Sequence, residues 1–162
     1  MKMNYCLVSV VVALVSCLAL VRSEIVPWTP CPVYGKAANE TKECDINQVR
    51  ISPCVEAKDG KPCKMYRNTT GSIEFDFTPY FSGEQIGARV YWASSLLDIP
   101  FLDMNSDGCL YTTCPMEAGK NYTLKYGLLI RESYPPGNYP IKWKVWNEKN
   151  EECCFMYAVK LK

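Results

Sequence analysis

The chain has 162 residues, 18 basic against 17 acidic side chains, a formal net charge of +1 at neutral pH, and no histidine. A near-neutral chain with no long charge run lacks the basic field that holds nucleic acid, and partners recognised mainly through charge are excluded with it. The missing histidine removes Ser-His-Asp and Cys-His catalysis together with every histidine metal site.

Residues 1–23 read as a secretory signal peptide. Lys2 supplies a short positive start, residues 7–21 form an apolar run, and Val21 and Ser23 are small residues at the cleavage positions. The run falls short of the roughly 20 residues a membrane-spanning helix needs. No later stretch is continuously apolar, so a soluble, secreted, extracellular product is expected. About 140 residues remain after cleavage, a normal size for one domain with its own core. Of ten cysteines, Cys6 and Cys17 leave with the leader. The eight that stay are an even number in a secreted chain, which implies a disulfide framework. Spacing alone leaves about a hundred pairings open. Short loop closure favours Cys54 with Cys63 and Cys109 with Cys114. Cys31 and Cys44 near the start would then tie to Cys153 and Cys154 in the last strand. Asn39, Asn68 and Asn121 each open an Asn-x-Thr glycosylation tripeptide, which fits the same compartment.

Residues 24–43 carry Pro27, Pro30, Pro32 and Gly35 and read as an irregular N-terminal arm. The domain proper is expected over 44–162. A short strand over 46–51 ends at Ser52-Pro53, and after the Asp59-Gly60 turn another covers 64–67. The cleanest alternation follows: Ile73, Phe75 and Phe77 on one face, Ser72, Glu74, Asp76 and Thr78 on the other. That is a half-buried antiparallel strand. Ile86, Ala88, Val90 and Trp92 repeat the pattern. An apolar loop over 99–102 and the small cysteine loop 109–114 lead to a third inward row, Tyr122, Leu124, Tyr126, Leu128 and Ile130. The Tyr134-Pro135-Pro136-Gly137 turn separates it from a fourth, Ile141, Trp143 and Val145. Phe155, Tyr157, Val159 and Leu161 make the last. No stretch shows a capped helical period. The fold class is therefore an all-β sandwich of about seven short antiparallel strands, one domain without repeats.

Asp103, Asn105 and Asp107 before Gly108 match the opening of a calcium loop. The twelfth position, which should be a bidentate glutamate, is Cys114, and flanking helices are missing. No metal and no cofactor are expected. Glu74 and Asp76 share a strand face and are read as pointing to solvent, where nothing lifts a carboxyl pKa for acid catalysis. With all eight cysteines paired, no thiolate is left either, and the chain is not read as an enzyme. The inward rows can pack dry or splay apart around a ligand. For Phe75, Phe77, Trp92 and Val159 taken singly, dry core is the better reading. Phe101, Tyr126, Tyr134 and Trp143, large flat side chains near proline-bearing turns, suit the mouth of an apolar pocket. A disulfide-rich binding or inhibitor module with a dry core is the competing reading.

The ordered set Ser52-Pro53-Cys54, Pro62-Cys63, Pro100-Phe101, Asp107-Gly108-Cys109, Cys114-Pro115, Gly119, Glu132-Ser133-Tyr134-Pro135, Trp143 and Cys154-Phe155 resembles the ML (lipid-recognition) domain family, in particular its Niemann-Pick type C2 branch. The similarity runs over about 44–161. The resemblance implies an immunoglobulin-like β-sandwich, stapled by disulfides, whose sheets part around an apolar cavity, with no catalysis. Residue by residue, it implies Phe101 and Tyr134 at the pocket entrance, Pro100 shaping the entrance loop, Ile130 on the wall in phase with Leu128, and Trp143 lining or backing the cavity. Tyr126 and Val90 join them as wall residues. It also implies the two short disulfides and a long link from the N-terminal arm to Cys154. Because neighbouring strand residues face opposite ways, Cys153 and Cys154 take different partners, and Cys31–Cys154 with Cys44–Cys153 is the favoured assignment. Under this resemblance the chain is expected to be a monomeric carrier of a sterol, fatty acid or semiochemical, meeting a membrane, transporter or receptor when ligand is transferred. Lysosomal residence, a lipid-presenting co-receptor in innate immune recognition, and a chemosensory carrier are the alternatives it brings.

Overall fold

The computed structural model describes residues 23–32, 43–94 and 97–162. The signal-peptide reading, apart from Ser23, and the Asn39 glycosylation site fall outside them. Among the described residues ten strands form two sheets. The first sheet orders β1 (Glu24–Ile25), β3 (Cys44–Ser52), β5 (Thr69–Pro79) and β8 (Tyr122–Ile130) as β1-β3-β5-β8. The second orders β2 (Thr29–Pro30), β10 (Glu152–Leu161), β9 (Gly137–Trp146), β6 (Gly87–Ala93) and β7 (Asp98–Pro100) as β2-β10-β9-β6-β7, with β4 (Cys63–Met65) also on β10.

Period-two alternation sets these strands. In β5, Ile73, Phe75 and Phe77 are buried while Glu74, Asp76 and Thr78 are only half-buried on the outer face. Val49, Ile51, Leu124, Trp143, Val145 and Phe155 meet them from the other strands. At this end the interior is solid: Phe75 lies 4.8 Å from Phe155 and 5.5 Å from Trp143, ring centre to ring centre, both edge to face.

Four features differ from the sequence expectation. Residues 24–43 are not simply an irregular arm, because β1 pairs with β3 and β2 pairs with β10, one short strand on each sheet. The apolar loop at 99–102 contributes Ile99 and Pro100 to a three-residue strand against β6. The strands are not all antiparallel, since β4 runs parallel to β10, Cys63 opposite Val159 and Met65 opposite Leu161. Short 3-10 turns cover Val55–Asp59 and Gly108–Leu110, the first closed by Gly60 in the left-handed conformation (φ 65°) that glycine adopts without a Cβ clash.

Among the described residues four disulfides staple the sandwich: Cys31–Cys154, Cys44–Cys153, Cys54–Cys63 and Cys109–Cys114. Cys153 is buried and faces the interior, while Cys154 faces outward and reaches the β2 side, where Cys31 N also donates to Cys154 O. Alternation along β10 thus separates the two long links.

Glu74 and Asp76 are not merely solvated. Arg50 lies across both, 2.6 Å from Asp76 Oδ2 and 2.6 Å from Glu74 Oε1, and also contacts Gln48. The Arg50 guanidinium holds the Asp76 carboxyl below its ordinary range, and Lys125, then Arg50, does the same for Glu74. Arg50→Met should cost about 1–3 kcal/mol, because two carboxylates lose a shared charged donor. The sign follows from the lowered folded-state values. The contribution is complete above the usual carboxylate range and is lost as pH falls through the folded pKa values. Urea unfolding should therefore separate wild type and variant at pH 7, and the gap should narrow toward pH 3.

Candidate functional site

Away from the solid end the two sheets part. The inward row of β5 shrinks in that direction, from Phe77 and Phe75 to Ile73 and then Gly71, which has no side chain to fill the gap. Met65 from β4 takes part of the space, its Sδ 3.2 Å from where a Gly71 Cβ would stand. What remains is a cavity of about 480 Å³. That lies within the roughly 300–1,000 Å³ of small-molecule sites. One wall comes from the first sheet through Ile51, Ile73, Tyr126, Leu128 and Ile130. The opposite wall comes from Val90, Trp92, Ile141, Tyr157, Val159 and Leu161, and Trp143 lines it near the solid end.

The mouth is built by two loops. Phe101 follows β7 directly and is held there by its N–H donating to Val90 O at 3.1 Å. Tyr134 sits in the turn between β8 and β9, its N–H donating to Arg131 O at 3.1 Å. Their rings meet edge to face, 6.0 Å between centres. Asp103 and Arg131 join the same two loops by an ion pair at 2.7 Å. Both partners are about half exposed, so this pair contributes at most about 1 kcal/mol. One ring contact and one exposed ion pair thus span the two loops at the mouth. Burial pushes the Tyr134 phenol upward, with Asp103 adding to it, and it does the same for Tyr126, where Tyr111 adds most.

Below the mouth, Tyr126 packs edge to face on Tyr111 at 5.2 Å and on Trp143 at 5.8 Å. Trp143 Nε1 donates to the Tyr157 hydroxyl at 3.3 Å. Tyr157 keeps some accessible surface although its ionised form is strongly disfavoured by burial. The two agree because Tyr157 lines the cavity and its accessible surface includes cavity wall.

A family model described as ML domain matches residues 25–161. The chain belongs to the ML-domain family. Among relatives, an MD-2-related lipid-recognition protein of Manduca sexta is 38% identical over 122 residues, covering 74% of this chain and 77% of the relative. The NPC intracellular cholesterol transporter 2 of Bos taurus is 29% identical over 107 residues, covering 65% and 69%. Among solved structures, a Niemann-Pick type C2 protein from the Japanese carpenter ant superposes with a TM-score of 0.67 at 19% identity, covering 76% of this chain and 96% of that one.

In this ML domain the pocket residues expected from the sequence sit together. Val90, Pro100, Phe101, Tyr126, Leu128 and Ile130 all line the cavity, as do Tyr134 and Trp143. Trp92 and Val159, read as dry core, line it as well. Sequence reasoning missed Tyr157 as a polar group inside the wall, and it missed Met65 and Gly71. The signal for Gly71 was present, a glycine ending an otherwise aromatic inward row. The calcium-like stretch is used locally: Asp107 accepts from Cys109 N at 3.0 Å, Asn105 accepts from Asp107 N at 3.0 Å, and Asp103 pairs with Arg131. Asn68 and Asn121 are both exposed. Among the described residues no helix is long and apolar enough to cross a membrane.

Proposed function

We propose that this chain is a secreted, monomeric carrier that holds a sterol, fatty acid or similar small hydrophobic ligand between its sheets and passes it on. The observation that carries this reading is the apolar cavity with aromatic side chains at its mouth. A ligand hiding about 400 Å² of apolar surface gains on the order of 10 kcal/mol gross at about 25 cal/mol per Å². Lost rigid-body freedom and side-chain ordering remove much of that. Affinities between about micromolar and nanomolar follow. Four disulfides support a secreted setting, since such bonds persist in oxidising compartments. Leu102, next to the mouth and 84% exposed, supports contact between the rim and a membrane or receptor during transfer.

Mass spectrometry of lipid extracted from the purified protein tests the reading directly. A stoichiometric hydrophobic small molecule is expected. Protein that carries no lipid and takes up neither a fluorescent sterol nor a fluorescent fatty acid would overturn it. The entrance is tested separately. Phe101→Ala should change the rate of ligand uptake and weaken retention several-fold, while secretion and thermal unfolding stay near wild type. Unchanged uptake and retention would move the entrance elsewhere.

A further inference from the structure

We propose that the Tyr157 hydroxyl reads the ligand: it donates its proton to a neutral oxygen on the end of the lipid that enters first. The inference deepens the carrier reading and rests on it.

Register fixes the depth. Leu161 lies opposite Gly137 where β9 begins beside the mouth turn, Val159 and Tyr157 follow inward, and Phe155 lies opposite Trp143 in the solid end. Tyr157 is therefore the last inward residue of β10 before the cavity closes on Phe155, Phe75 and Trp143. An indole N–H donates and cannot accept. The Trp143 bond thus occupies a lone pair of the Tyr157 oxygen and leaves its proton unspent. Among the described residues, no acceptor takes that proton. A buried donor without a partner is costly, and a ligand oxygen removes the cost.

The chemistry of the partner follows from the surroundings. Burial keeps the phenol neutral, and the residues around it are apolar or aromatic. An ionised carboxylate at this depth would lose its hydration with no cation to meet it. Among the described residues the one cation lining the cavity, Arg131, is at the mouth and already paired with Asp103. The deep site accordingly suits a ketone, ester, ether or alcohol oxygen at the leading end of an apolar molecule. An ionised fatty acid would have to enter tail first.

The test compares pentadecan-2-one with n-pentadecane as competitors for the fluorescent probe N-phenyl-1-naphthylamine, on wild type and on Tyr157→Phe. The expected result is that the ketone-to-alkane affinity ratio falls about fivefold in the variant, the size of one hydrogen bond. An equal ratio in wild type and Tyr157→Phe, or an equal loss for both ligands, overturns the proposal. The wild-type protein gives an independent readout, the infrared carbonyl stretch of bound ketone. A shift to lower frequency than in hexane is expected, and an unshifted band overturns the proposal even if the variant fails to fold. If wild type binds neither probe, ketone nor alkane, the carrier reading itself falls and this inference with it.

Discussion

Leu128→Trp is expected to weaken lipid binding by about 30-fold or more while leaving the fold in place. Leu128 sits on the inward row of β8, lines the cavity, and stands opposite Gly71 in the β5–β8 register. An indole at this position stands beside a residue with no side chain of its own and projects into the cavity. Overpacking costs about 1–3 kcal/mol in filled cores, and it should cost less here because the added ring enters open space. The ligand loses what the ring takes. Excluding about 100 Å² of apolar contact forfeits about 2.5 kcal/mol at 25 cal/mol per Å², close to two orders of magnitude in affinity. The control is one residue away. Leu129 is 56% exposed on the opposite face of the same strand, so Leu129→Trp should leave binding unchanged. Displacement titrations with a fluorescent lipid, alongside thermal melts of both variants, decide the matter. Full-strength binding by a folded Leu128→Trp protein would place the ligand outside the gap between the sheets.

The physical origin of that gap explains which parts of the molecule could be read from the chain. Alternation in 72–78 announces a strand with Phe75 and Phe77 inside, and both rings are fully buried. Periodicity assigns a face but not a neighbour. It could not say that β4 would lie parallel beside β10, because three residues carry too little pattern to choose a partner. The same limit hid β7, whose Ile99 and Pro100 look like loop residues until Tyr91 and Trp92 pair with them. The two strands at the start are two residues each, too short to show alternation, and the second carries Pro30, tolerated at a sheet edge where no ladder donor is needed.

Whether inward residues meet across the sandwich or face a void is a question of layer separation, on which alternation is silent. Phe75 and Trp92 occupy equivalent phases in their strands, yet one is packed among aromatic rings and the other lines the cavity. Side-chain size along one row carries more information than phase. The decline from Phe77 to Gly71 marks where the first sheet stops reaching its partner. Tyr157 shows the remaining limit. Its hydroxyl is placed by the Trp143 donor, a contact that only tertiary packing creates.

The two long disulfides should lose stability more than additively when both are removed. Cys31–Cys154 and Cys44–Cys153 close sequence separations of 123 and 109 residues. A lone loop of about 100 residues constrains the unfolded chain by about 4.7 kcal/mol in the chain-entropy account. The two links lie side by side, however. While either is intact, the other closes a ring of only about 15 residues, which is worth about 3 kcal/mol. Cys31→Ser with Cys154→Ser should therefore cost about 3 kcal/mol, and so should Cys44→Ser with Cys153→Ser. Removing all four should cost about 7–8 kcal/mol, most of the 5–15 kcal/mol that stabilises an ordinary domain. At roughly 2–4 °C per kcal/mol, each pair variant should melt about 6–12 °C below wild type, while the four-cysteine variant should be largely unfolded at body temperature. Urea unfolding of the three variants measures the coupling directly. If one pair alone costs as much as both, the two links act as a single structural unit and the nested-loop account fails. If the costs simply add, each link constrains its own part of the unfolded chain independently of the other.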